Sequence, residues 1–130
     1  MAAVKGTGSK STEWRVRAAL MRAGIAGWRM NVREVLGKPD FLFAGQRLLV
    51  FVDGCFWHGC PRHYRRPSTS QTYWDAKVAR NMARDKRNRA QLRREGWRVL
   101  RLWEHDVKLS PAACARKIKS LLDLPSGSRG

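Results

Sequence analysis

Acidic residues are scarce in this 130-residue sequence, which has 10 Asp and Glu against 27 Lys and Arg and a formal net charge of +17. So large an excess of one sign repels itself on a small chain, and a polyanionic partner is the usual reason to tolerate it. The positive charge is spread along the whole chain rather than along one amphipathic helix, so it favours nucleic acid over a membrane surface.

Long apolar runs are also missing, because the longest, Leu48 to Val52, is far too short to cross a bilayer. Residues 1–10 lack the apolar segment of a signal peptide, so we expect a soluble, cytoplasmic protein. The three Cys, without an export signal, argue against a disulfide framework and leave metal binding open. Hydrophobic residues still make up 43% of the chain, which excludes a disordered protein and suits one domain.

Apolar periodicity and turn signals predict an α-β-β-β-α-β-α order. The predicted helices span about 11–24, 71–95 and 111–122, and the strands span 28–33, 41–43, 47–53 and 97–103. This order predicts a mixed sheet flanked by helices, with the third strand covered on both faces. We expect a flexible basic arm at 1–10, a single domain at 11–123 and a disordered tail at 124–130.

Two acids frame the hairpin of the second and third strands. The tight turn at 44–46 makes these strands antiparallel, so Asp40 lies roughly opposite Val50 to Val52 and Asp53 reaches the same end of the sheet. Two carboxylates and a backbone carbonyl are ligands that Mg²⁺ takes. The alternative is that Asp40 is only a turn residue and Asp53 only ends a strand. The spacing leaves both interpretations open.

A second cluster follows at once, with Cys55, Cys60 and His63 within nine residues of a loop. Thiolate and imidazole are the ligands that tetrahedral zinc prefers, and a structural site needs a fourth. His105 is the best candidate and Cys114 the alternative. The cysteines could instead be small buried hydrophobes, but zinc is favoured because the loop offers no core of its own.

His58 lies between the two loop cysteines and could act as a general base if another group orients its ring. Asn81 and Asp85 fall on the apolar stripe of the long helix, where polar groups need partners, and a bond between Asp85 and His58 would satisfy both. A salt bridge from Asp85 to a neighbouring arginine is equally consistent. Glu13 lies on the inward side of the first helix, where interaction with the helix dipole alone could explain it.

Phe56 and Trp57 are adjacent aromatics in the same loop. Core filling is the ordinary role of such residues. Beside a metal site in a basic protein, insertion between base pairs is the rival interpretation.

Several stretches of this sequence carry a family resemblance. They are Gly37-Lys38-Pro39-Asp40-Phe41, Val50 through His58 (VFVDGCFWH), Asn81 through Arg87, Gly96 through Leu100 (GWRVL), and Trp103-Glu104. In this order and spacing they resemble the very short patch repair (Vsr) endonucleases, bacterial enzymes with the restriction-endonuclease-like α/β fold, over about residues 1–122.

The resemblance implies a strand-specific nick 5′ to the thymine of a T·G mismatch in double-stranded DNA. It also implies dependence on Mg²⁺, a structural zinc, and a monomeric DNA-repair enzyme acting at the bacterial nucleoid. Two alternatives stay open: a restriction-type or structure-specific nuclease of the same fold without mismatch preference, and a zinc-stabilised DNA-binding module without catalysis.

The resemblance also assigns the catalytic roles. Asp40 would be the Mg²⁺-binding carboxylate, with the main-chain carbonyl of Val52 as a second ligand. His58 would be the base that activates the attacking water, paired to Asp85. Two further residues complete the implied site, Asn81 as a support and Glu13 as an active-site acid.

For DNA and zinc, the resemblance matches Phe56 and Trp57 to an aromatic wedge beside the mismatch, and Met1 to a methionine inserted from the opposite groove. Cys55, Cys60, His63 and His105 fall on or near the zinc positions.

The sequence departs from the family pattern at the proposed sites. Asp53 stands where the best-known members have His, and Val52 where they have Thr, so we expect extra negative charge at the metal site. Cys60 falls where the family has His, and His105 where it has Cys. These are exchanges among zinc ligands, so we expect the zinc site to persist.

Overall fold

The computed structural model describes residues 10–55, 59–60 and 65–124. Its helices and strands, in chain order, are α1 (Lys10–Arg22), β1 (Trp28–Met30), β2 (Phe41–Phe43), β3 (Leu48–Asp53), α2 (Gln71–Arg94), β4 (Arg98–Trp103), α3 (Glu104–Leu109) and α4 (Pro111–Leu122). The predicted order is confirmed, with the short helix α3 added. The first strand is shorter than predicted, because Asn31 takes a positive φ of 53° that interrupts extended backbone.

The described residues form one four-stranded sheet in the order β1-β2-β3-β4. β2 and β3 are antiparallel neighbours, as the tight turn predicted, and Phe41 pairs with Val50. β1 adds to β2 in the antiparallel sense as well. β4 pairs with β3 in parallel, and Asp53 stands beside Trp103. Parallel neighbours need a long crossover, and α2 supplies it. The sheet is therefore mixed.

Helices cover both faces of the sheet, so β3 is buried along its whole length, as predicted. One face packs on α1, α3 and α4, with Val50 and Val52 in that core. The other face packs on α2, with Leu49 and Phe51 against Leu92. This alternation follows from the two-residue repeat of a strand.

The parallel pairing has a direct consequence for function. β3 and β4 end at the same edge of the sheet, so the loop that begins at Gly54 and the helix α3 that follows Trp103 meet there. No helix among the described residues is long and apolar enough to cross a membrane.

Candidate active site and metal-binding cluster

Asp40 lies immediately before β2 and turns its carboxylate toward β3. Its backbone N–H donates to the carbonyl of Val50 at 2.9 Å, and the N–H of Val52 donates to its Oδ2 at 2.6 Å. The predicted position opposite Val50 to Val52 is therefore confirmed. Asp40 is only 2% exposed, so its carboxyl group lies inside the protein.

Glu13 of α1 reaches the Asp40 carboxyl group from one face of the sheet. It is 8% exposed on α1, and its side chain hydrogen-bonds that of Asp40. Burial raises the pKa of Asp40 to about 9, against the opposing effect of the Val52 N–H, and repulsion from Glu13 and Asp53 raises it further. Two buried carboxyl groups in contact cannot both ionise without a nearby cation. The pair could therefore share a proton or, once ionised, hold a cation.

Asp53 lies at the same end of β3 but has different partners. Arg89 of α2 binds it with both terminal nitrogens, at 2.6 and 3.0 Å, and Nε of Arg101 donates to it at 2.7 Å. The extra negative charge expected beside the metal is therefore compensated by two guanidinium groups. Sequence interpretation missed both arginines, although Arg89 falls one turn after Asp85 on the same helical stripe.

Asp85 is buried on α2, as its place on the apolar stripe predicted. Arg84 donates to its Oδ1 at 3.2 Å, and Nη2 of Arg101 lies 3.8 Å from its Oδ2. A salt bridge to neighbouring arginines, the alternative considered from the sequence, is thus present. Asn81 is half-buried one turn earlier. The partnership of Asp85 with His58 stays a prediction.

Three side chains form a candidate metal-binding cluster where β3 and β4 end. Sγ of Cys55 lies 3.4 Å from Nδ1 of His105, Sγ of Cys60 lies 3.5 Å from the same atom, and all three atoms lie within 4.8 Å of one another. Nε2 of His105 lies 3.3 Å from Asp106, which fixes the ring so that Nδ1 faces the sulfurs. These residues could hold a metal ion.

Cys114, the alternative ligand, lies elsewhere. It is buried in the core on α4, among residues such as Ile118. Burial raises the pKa of the Cys114 thiol, as expected for a cysteine that serves as a small hydrophobe. His105 is therefore the residue that joins the loop cysteines, as predicted. Burial also raises the pKa of the Cys55 thiol to about 11, and a bound cation would favour the thiolate.

Several predicted residues lie outside the described part of the chain. They are Met1, Phe56, Trp57, His58 and His63, together with most of the predicted arm and tail. Their roles stay predictions.

Comparison with known proteins gives one consistent class. Residues 1–65 match the family described as DNA mismatch endonuclease Vsr. The chain is 42% identical to the type II nicking enzyme V.NaeI of Lentzea aerocolonigenes over 82% of this chain and 66% of the relative. It is 40% identical to the type II nicking enzyme V.XorIIP of Xanthomonas oryzae over 88% of this chain and 85% of the relative. It is 34% identical to the DNA mismatch endonuclease Vsr of Escherichia coli K12 over 75% of this chain and 63% of the relative.

These matches define the class as DNA endonucleases. The chain belongs to the Vsr family of DNA mismatch endonucleases. It spans just under two thirds of the length of the Lentzea and Escherichia relatives and most of the Xanthomonas relative.

Proposed function

We propose that this chain is a Mg²⁺-dependent endonuclease that nicks one strand of double-stranded DNA beside a T·G mismatch. The observation that carries the proposal is the buried contact between Glu13 and Asp40 against the backbone of Val52, in a chain of the Vsr family. Few proteins bury two carboxyl groups in contact unless a cation or a shared proton compensates them.

The donor set suits Mg²⁺. Asp40 would be its carboxylate ligand, the carbonyl of Val52 a second ligand, and Glu13 lies in contact with Asp40. These are hard oxygen donors, and Mg²⁺ commonly uses one or two carboxylates and fills its other positions with water and phosphate. When bound, Mg²⁺ would neutralise the scissile phosphate and the charge that develops as the bond breaks.

The chain's own residues would carry the proton transfers. His58 would accept the proton of the attacking water, Asp85 would orient the imidazole and Asn81 would support the site. The water oxygen bonds to phosphorus while the bond from phosphorus to the 3′ oxygen breaks, which leaves a 5′ phosphate. The 3′ oxygen takes its proton from solvent.

DNA binding would use the basic surface. Along α2, exposed Lys and Arg side chains are available for phosphate contacts; they are Arg80, Lys86, Arg87, Arg93 and Arg94. The arm at 1–10 would add further contacts, and binding would weaken steeply with salt. Phe56 and Trp57, with Met1 from the other groove, would wedge at the mismatch, where stacking is cheapest to open.

The metal-binding cluster would hold a structural zinc. Cys55, Cys60 and His105 supply two sulfurs and one nitrogen at distances that suit a shared ion, and His63 would complete a tetrahedral set. A zinc there would fix the loop that carries Phe56, Trp57 and His58 against the end of β4.

The test is a nicking assay on two duplexes that differ only in one base pair, T·G against T·A, with Mg²⁺ present or chelated. We expect a Mg²⁺-dependent nick 5′ to the thymine of the T·G duplex alone. Equal rates on both duplexes would remove the mismatch preference, and binding without cleavage of either would support a DNA-binding module instead.

A second function has support of its own. Relatives at 42% and 40% identity are named type II nicking enzymes, without mention of a mismatch. This favours, as the rival proposal, a nicking nuclease that recognises a sequence in paired DNA. Cleavage of a library of fully paired duplexes at one recurring sequence would support it.

A further inference from the structure

Asp53 binds two guanidinium groups, although one would be enough to neutralise its charge. Arg89 is 8% exposed and binds both carboxylate oxygens, so this pair alone is neutral and doubly hydrogen-bonded. Arg101 is then a second guanidinium on the same carboxylate. With Asp85 and its neighbour Arg84 included, two acids meet three arginines, and the cluster carries a net positive charge when both acids are ionised.

Arg101 is also held in place with most of its donors available. A guanidinium has five N–H groups, and within the described residues only its Nε–H enters a hydrogen bond, to Asp53. Its Nη2 lies 3.8 Å from Asp85, too far for a second one. The ring of Trp103 supports the guanidinium plane at 4.5 Å, and the side chain is 36% exposed. It is therefore oriented and accessible.

The position of Arg101 relates it to the proposed Mg²⁺ site. Arg101 stands beside Phe51 in the β3–β4 register, and it contacts Asp53, which is close enough to Asp40 to raise the pKa of that carboxyl group by repulsion. A phosphate held at Asp40 would thus lie near a preorganised guanidinium, whose fork of N–H donors matches phosphate oxygens.

We infer that Arg101 is a catalytic residue that binds the scissile phosphate and stabilises the charge it gains in the transition state. This inference rests on the proposed nuclease function. Asp53 is then the anchor of a cationic group, in the position where the best-known members of the family carry an imidazole. The role needs no change of protonation, since a guanidinium stays charged throughout.

The test compares Arg101→Ala with wild type in single-turnover nicking of the duplex that wild type cuts faster. We expect the cleavage rate constant to fall about 10²-fold, as for loss of one transition-state donor, with much less change in DNA affinity. Ethylguanidinium should restore part of the rate, whereas the same concentration of NaCl should not. Arg29→Ala is the matched control, because it removes one positive charge from an exposed pair with Glu34 at the far strand β1. It should keep the wild-type rate and show no rescue.

Arg101→Gln keeps a hydrogen-bond donor for Asp53 and serves if the alanine variant fails to fold. Its cleavage rate constant should fall by the same factor as in Arg101→Ala, while its melting temperature stays at the wild-type value. A rate within about threefold of wild type in either folded variant would overturn the inference, as would a loss that ethylguanidinium leaves unrepaired. If the wild-type enzyme prefers paired DNA, only the mismatch preference is removed. If it cuts neither duplex, the nuclease function and the role of Arg101 are both overturned.

Discussion

Asp40 and Asp53 are two buried aspartates at one end of the sheet, with 2% and 1% of their surfaces exposed, and yet their surroundings are opposite. Asp40 has one backbone N–H and an acidic neighbour, Glu13. Asp53 has two arginines. A buried carboxylate must be compensated. The chain supplies the cations itself at Asp53, whereas at Asp40 it leaves room for a proton or an added metal ion. Residue type alone therefore does not distinguish a candidate metal ligand from an acid in a structural ion pair, whereas the partners of each acid do.

The largest expected effect is the loss of nicking activity when the Asp40 carboxylate is removed. Asp40→Asn should reduce Mg²⁺-dependent nicking by about 10⁴-fold or more, because it removes the charged ligand of an ion that contributes several kcal/mol. The amide can still accept from Val52, so the melting temperature in EDTA should not fall. Nicking assays and thermal unfolding measure the two effects. Asp123→Asn, at an exposed pair with Lys119, is the control for loss of one acid. An Asp40→Asn variant that nicks normally would contradict the metal assignment.

The stability of the fold should depend on Asp53 rather than on Asp40. Asp53→Asn leaves the buried Arg89 without its anion, which we expect to lower the free energy of unfolding by about 3–5 kcal/mol. Asp75→Asn breaks an exposed pair with Arg66 and should cost less than about 1 kcal/mol. Urea unfolding compares the two variants. Equal, small losses would mean that the Asp53 pair does not hold the sheet end together.

Alanine variants of Cys60 and Cys114 form a matched pair that tests the metal-binding cluster. Cys60→Ala should lower zinc affinity at least about 100-fold, because it removes a thiolate ligand. Cys114→Ala should leave zinc content unchanged, because Cys114 lies in the core of α4. Metal analysis of the purified variants measures this directly. Equal zinc content in both variants and wild type would refute the cluster as the zinc site.

The smallest expected effect is on pH dependence. The pKa of Asp40 is raised to about 9, so folding favours its neutral form. That contribution to stability is complete below about pH 4 and is lost as the pH rises through 9. Mg²⁺ must displace the proton, so its affinity should rise about tenfold between pH 7 and 8. Magnesium titrations followed by the melting temperature test this. No such rise would mean that Asp40 is already ionised before the metal binds.

Much of the fold could be predicted from local patterns. Apolar alternation and turn signals gave β2 and α4 with their observed bounds and α2 within one residue at its end. The six-residue α3 was missed because its one buried apolar side chain, Val107, makes no periodic pattern. The position of His105 just past the last predicted strand made it the best candidate to join the loop cysteines, and the structure places its ring beside both sulfurs.

The arginine cluster could not be predicted in the same way. Arg89 and Arg101 are 36 and 48 residues from Asp53 along the chain, and only the packing of α2 and β4 against β3 brings them together. In a chain with 27 Lys and Arg, two buried or half-buried arginines do not stand out from those on the surface. Charge partners that are distant in sequence depend on tertiary structure, whereas the short spacing of Cys55 and Cys60 is visible in the sequence itself.

The contact between Cys55 and His105 also depends on the pairing of two strands. These residues are 50 positions apart, and they meet only when β3 and β4 lie side by side. Closing so long a loop is entropically costly before the sheet forms. The three ligand atoms therefore come together only once β3 and β4 have paired, so an ion that needs all three of them would bind after that step.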